Sequence, residues 1–149
     1  MSLCLHCGLC CDGALFGTAS VTAEEAARLE GRVALTPDRR NLVQPCRALS
    51  GCACTVYEDR PATCRAFTCE ALAALEHGEV TEAEALAEVE RALALRRVIA
   101  KSLGMSDERA ALREARRRLQ AGELPDDARD AVTELNRFAL AIQLVRPRR

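Results

Sequence analysis

The chain has no tryptophan, one tyrosine, three phenylalanines, two histidines and a single lysine. A core without aromatic anchors must rest on aliphatic side chains. Those are 20 Leu, nine Val and two Ile, because 27 of the hydrophobic residues are alanine. Long apolar runs are also missing, and nothing approaches the roughly 20 residues that a membrane span needs. The start, MSLCLHCGLCC, lacks the basic and long apolar regions of a secretory leader. Charge of one sign is scarce as well. The formal net charge of -1 offers no gross attraction to nucleic acid. No P-loop, dinucleotide-binding glycine signature or Ser-His-Asp set is identifiable. Two histidines argue against His-rich catalytic zinc or non-haem iron. These absences lead us to expect a cytoplasmic protein with neither a membrane nor a nucleic-acid partner, at 149 residues one domain or one domain with a helical appendage.

What the chain does have is cysteine. There are nine, at positions 4, 7, 10, 11, 46, 52, 54, 64 and 69, and the last 80 residues hold none. An odd count and the missing leader speak against extracellular disulfides. Inert core cysteines occur singly and do not recur every third residue. Clustered thiols point instead to metal ligation.

Cys4-x-x-Cys7-x-x-Cys10-Cys11 is the strongest local signal, since thiolates at this spacing converge on one metal in a tight turn. Adjacent Cys10 and Cys11 diverge in extended backbone, so one of them is expected to reach a second metal, a cluster edge or a bridging position. Cys46-Arg-Ala-Leu49 follows, and then the run Cys52-Ala-Cys54-Thr-Val-Tyr57-Glu-Asp-Arg60-Pro61-Ala-Thr-Cys64-Arg65-Ala-Phe67-Thr-Cys69. Cys64 and Cys69 would stand roughly 140° apart on one ideal helix. Either they serve different metals or the backbone breaks between them, and a break near Phe67-Thr68 is expected.

The first eleven residues read as irregular backbone. Thr22-Ala-Glu-Glu25 is a capping box that opens a short helix to Glu30. Residues 31–54 read as loops with short extended pieces, and Cys54–Tyr57 as a short strand. Pro61 can open a helical turn. Helices are expected from Phe67 to His77, from Thr81 to about Leu103, from a Ser106 cap through Gln120, and from Pro125 onward. Leu86, Val89 and Leu93 form one apolar face, and Val132, Leu135, Ala139 and Ile142 another. The tail from Arg146 is expected to fray. The fold class is therefore mainly α, with an irregular, cysteine-rich, metal-organised N-terminal half packed on a C-terminal helical hairpin or small bundle. Residues 1–78 form the cysteine-cluster region and residues 79–149 the helical region, expected to pack as a single domain.

The opening CLHCGLCC and the closing CTVYEDRPATCRAFTC resemble the motifs of the CxxCxxCC cysteine-cluster proteins, the YkgJ-like family of zinc- or iron-chelating domains. That resemblance covers residues 4–69. It implies eight ligands: Cys4, Cys7, Cys10, Cys11, Cys46, Cys54, Cys64 and Cys69. Cys52 departs from the pattern as a supernumerary thiol. One relative is a domain of a flagellin lysine methylase, but no separate methyl-donor site is visible here.

The excess of soft ligands favours an iron-sulfur cluster over zinc, with the number of centres left open. Either centre brings negative charge that needs donors or cations nearby. Arg60 and Arg65 are candidates, with Arg47 behind them. Tyr57 is a third candidate, although a small-core anchor is its commoner role. His6 is set aside as a ligand, and His77 reads as a helix-end cation. Arg113, Arg116, Arg117 and Arg118 read as a solvated, salt-bridged helix surface. The expected role is binding or structural, with an iron-sulfur electron-transfer protein or a metal-dependent enzyme as alternatives. Leucine stripes on the helices leave room for a protein partner or self-association.

Overall fold

The computed structural model describes residues 2–143, which divide after Thr68 into two compact units. Seven α-helices and four short strands occur among the described residues.

In the first unit, helix α1 spans Ser2–Cys7 and ends at Gly8, whose φ of 65° lies in the left-handed region. Irregular backbone was expected here. A repeat of three residues between cysteines fits a helical turn equally well, and the glycine supplies the stop. Strands β1 (Thr18–Ser20) and β2 (Asn41–Val43) pair antiparallel, with Ala19 opposite Leu42. Between them lies helix α2 (Ala23–Arg28). Its capping box is complete: Thr22 accepts from the Glu25 N–H and Glu25 accepts from the Thr22 N–H. The helix ends two residues before the expected Glu30.

Strands β3 (Leu49–Ser50) and β4 (Ala53–Cys54) form a small hairpin, with Leu49 opposite Cys54. The extended segment expected through Tyr57 stops at Cys54, because Tyr57–Asp59 forms a 3-10 turn. Pro61 then caps helix α3 (Ala62–Ala66). Leu29, Val33, Leu42, Ala48 and Val56 bury together as the core of this unit, and Cys46, Cys54 and Cys64 pack against it.

The second unit opens with α4 (Glu70–Glu76), followed by α5 (Glu82–Ser102), α6 (Glu108–Ala121) and α7 (Asp126–Gln143). The backbone turns extended at Phe67 and Cys69, so the break expected between Cys64 and Cys69 is present and α4 starts three residues later than expected. A second complete capping box at Thr81 and Glu84 begins α5. Asp107, not Ser106, caps α6, accepting from the N–H groups of Arg109 and Ala110 at 2.9 and 3.0 Å. Its carboxylate reaches two orphan donors where a serine hydroxyl would serve one.

Ser102 at the end of α5 donates to Asp127 at the start of α7, and Arg91 pairs with Glu134. These two helices therefore run antiparallel, with α6 linking them and touching both. The buried stripe of α5 is Ala85, Val89, Ala92, Ile99 and Ala100. The expected Leu86 and Leu93 are only half-buried beside it, so small alanines set the closest approach of the helices. Val132 and Leu135 of α7 are fully buried. The side chains of Ala139 and Ile142, and the tail from Arg146, lie outside the described residues. No helix among the described residues is long and apolar enough to cross a membrane.

Candidate metal centre

Four sulfurs of the first unit converge on one neighbourhood. Cys46, Cys54 and Cys64 come from a loop, a strand end and α3, and all three pack on the same small core. Cys11 joins them through the backbone, because the Cys46 N–H donates to the Cys11 carbonyl at 2.8 Å. Burial pushes the Cys11 thiol up to about 12, and the sulfurs of Cys64, Cys46 and Cys54 add to the shift. Burial likewise raises Cys64 to about 11, again with Cys46 and Cys54 contributing. Cys46 is raised by burial and by Cys54. Groups that oppose one another's ionisation in this way share a poorly screened space. Such a cluster needs a cation to become a set of thiolates.

The four are neighbours, not yet at bonding distance. Among the described residues, no three His, Cys, Asp or Glu side chains are placed to hold one metal ion. A change of χ1 rotamer swings a cysteine sulfur through a wide arc without moving the backbone. None of the nine cysteines is in a disulfide.

The segment holding Cys64 is fastened to α2 by Glu25, a carboxylate only 7% exposed. Its Oε1 accepts from the Ala62 N–H at 2.7 Å while Oε2 completes the capping box. Those backbone donors, helped by Arg28 and Arg65, hold the Glu25 carboxyl below the usual carboxylate range. Asp12, 2% exposed, accepts from the Ala14 N–H at 2.8 Å and fixes the turn after Cys11.

Arg60 lies with its guanidinium 3.7 Å from the centre of the Tyr57 ring. Its buried Nε–H has no hydrogen-bond partner among the described residues. Its charge favours the ionised forms of Cys4 and Cys64. A buried, unspent donor beside sulfurs fits a centre that carries negative charge. Tyr57 itself is 51% exposed and serves as the platform under that cation. Arg65 is exposed, and its charge acts on Glu25. Arg47 is exposed.

Cys4 and Cys7 lie on α1, and Cys10 follows the Gly8 turn. Cys69 caps α4, accepting from the Leu72 N–H at 3.4 Å, as the first residue of the second unit. The part of Glu25 in fastening the cysteine segment is not legible in the sequence, because the capping box fully explains its local pattern. Only the second oxygen carries the long-range bond.

Arg117 and Arg118 both bond to Glu114, holding its carboxyl down to about 2. Arg116 reaches Asn136 at 3.4 Å. A groove between α5 and α7 carries Glu88, Arg91, Asp130 and Glu134, of which Arg91 and Glu134 pair.

A sequence model of one protein family, described as a "putative zinc- or iron-chelating domain", matches residues 3–90, more than half of the chain. Neither a curated protein nor a solved structure matches.

Proposed function

The chain belongs to the CxxCxxCC family, and from that membership we propose that its thiols hold an iron-sulfur cluster, or zinc if the sulfurs act alone. The observation that carries the reading is the packing of Cys46, Cys54 and Cys64 on one small core, with the Cys11 backbone tied to Cys46. The donor set is all sulfur, which suits a soft metal or an iron-sulfur core. Cys4, Cys7 and Cys10 belong to the same reading through the opening motif, and Cys69 through the closing one. Arg60 supplies positive charge and a free donor to the centre, Tyr57 holds Arg60 in place, and Arg65 steadies Glu25. When bound, the metal supplies the cross-link that replaces a large hydrophobic core. The role is structural or binding first.

The test is anaerobic purification followed by metal analysis and a visible spectrum. A brown protein with stoichiometric iron and sulfide, bleaching on reduction, supports the cluster and opens an electron-transfer role. Stoichiometric zinc without colour keeps the ligands and replaces the cluster. Cys64→Ser is expected to release metal from this set. Absence of any bound metal in the wild-type chain contradicts the reading.

A further inference from the structure

Helix α5 is apolar on two opposite faces. One is the buried stripe of Ala85, Val89, Ala92, Ile99 and Ala100. On the other, Ala83, Ala87, Ala94 and Val98 follow at helical spacings that keep them on one side. Ala83 and Ala87 are exposed, Ala94 is half-buried, and Val98 is 45% exposed. Leu95, half-buried, stands beside Ala94 at the groove that α5 forms with α7. The outward sides of the neighbouring helices are polar. α6 exposes Arg113, Arg117 and Gln120, and α7 exposes Arg129, Asp130 and Thr133. A surface helix keeps one polar face, whereas a helix apolar on both faces belongs between two layers of protein.

The charges on α5 say what the second layer is. Its first half carries Glu82, Glu84, Glu88 and Glu90 and no basic residue. Its second half carries Arg91, Arg96, Arg97 and Lys101 and no acidic one. Part of this charge is used within the chain: Arg91 pairs with Glu134, Arg96 with Glu108, and Arg97 with Glu90 at 3.8 Å. Lys101 is exposed and lies on the same flank of the outward face as Glu90. Two α5 helices laid antiparallel, crossing near Ala94, bring the acidic half of each against the basic half of the other. Glu90 of one copy then lies level with the turn from Arg97 to Lys101 of the second. A parallel arrangement would set like charges opposite one another. The alanines let the two helices approach closely, and Val98 packs across the seam.

We propose that α5 is a self-association face, on which two copies of the chain pair antiparallel through Ala87, Ala94, Leu95 and Val98, with Glu90 of each meeting Lys101 of the other. The proposal goes beyond the metal reading and does not depend on it.

The experiment is sedimentation analysis of the anaerobically purified full chain over a range of concentrations, with reductant present to prevent disulfides between copies. It compares wild type with Val98→Glu, Glu90→Lys, Lys101→Glu and the double charge swap, each checked for unchanged helical signal. The wild type is expected to dimerise reversibly. Val98→Glu is expected to raise the dissociation constant about tenfold or more, because it places a charge in the apolar seam. Each single charge reversal is expected to weaken the dimer, and the double swap to restore it. Glu90 and Lys101 stand about 16 Å apart along one helix, so rescue of one reversal by the other arises only between copies. A wild-type monomer at every concentration overturns the proposal. So does a dimer that Val98→Glu leaves unchanged, or a double swap no tighter than its single variants.

Discussion

The N–H of Cys46 donates to the carbonyl of Cys11 at 2.8 Å, so two thiol-bearing segments distant in the chain are joined by backbone before any sulfur is considered. Cys46, Cys54 and Cys64 then rest on Leu29, Val33, Leu42, Ala48 and Val56. The small core positions the sulfurs, and a metal held by them would in turn stabilise the core. In a unit this small, apolar burial supplies only a few kcal/mol, so a bound metal would add a substantial staple.

Glu25 makes the first prediction. Removing its carboxylate leaves the N–H groups of Thr22 and Ala62 without their acceptor. Glu25→Ala is expected to cost about 2 kcal/mol, read by denaturant unfolding of the metal-loaded chain. The carboxyl is depressed in the folded chain, so its contribution is fully present above the ordinary glutamate value and lost as pH falls through the folded one. Arg28 and Arg65 support the charged form and the Cys64 sulfur faces it. The stability gap between wild type and Glu25→Gln is therefore expected to narrow below about pH 4.5. A gap independent of pH would remove the carboxylate from the account.

Gly8 and Gly122 both have φ near 70°, at 65° and 73°, so an alanine at either is expected to cost about 1–2 kcal/mol of backbone strain. Their consequences differ. Gly8→Ala strains the turn between Cys7 and Cys10 and brings a methyl group against Cys52, so it is expected to lower metal retention. Gly122→Ala ends a helix in open space and is expected to leave metal content unchanged. Metal analysis of the two variants after gel filtration separates these outcomes.

Much of this was legible in the chain. Thr22-x-x-Glu25 and Thr81-x-x-Glu84 specify their helix starts locally, and the glycines at 78, 104 and 122 follow helix ends as their lack of a Cβ allows. The break before Cys69 followed from the angular mismatch of two thiols on one helix. Helix α1 was not legible, because six residues, under two turns, are too few to show a period. The choice of Asp107 over Ser106 turned on which side chain reaches two donors. The Arg60–Tyr57 stack and the Glu25–Ala62 bond are tertiary, and no local pattern encodes them.

Arg60 carries a further prediction. Arg60→Gln removes a positive charge near Cys4 and Cys64, and a charge-assisted donor of this kind is worth about 1.5–3 kcal/mol. Metal transfer to a chromophoric chelator is expected to become about tenfold more favourable or greater. Arg60→Lys retains the charge but loses the planar stack on Tyr57, so it is expected to fall between. Equal behaviour of all three chains would make Arg60 an ordinary surface cation.

In the second unit, Leu135 is fully buried on α7. Leu135→Ala is expected to cost about 2–5 kcal/mol through lost burial and a residual cavity. Loss of helical signal on heating should come correspondingly earlier, while metal content at low temperature stays at the wild-type value. Metal loss in the folded variant would give these helices a part in holding the centre.

The most direct test is X-ray absorption at the metal edge of the anaerobically purified chain. Four sulfur neighbours at about 2.3 Å for every metal, with no nitrogen or oxygen shell, is the predicted result. A first shell dominated by nitrogen or oxygen would contradict a centre built from Cys11, Cys46, Cys54 and Cys64.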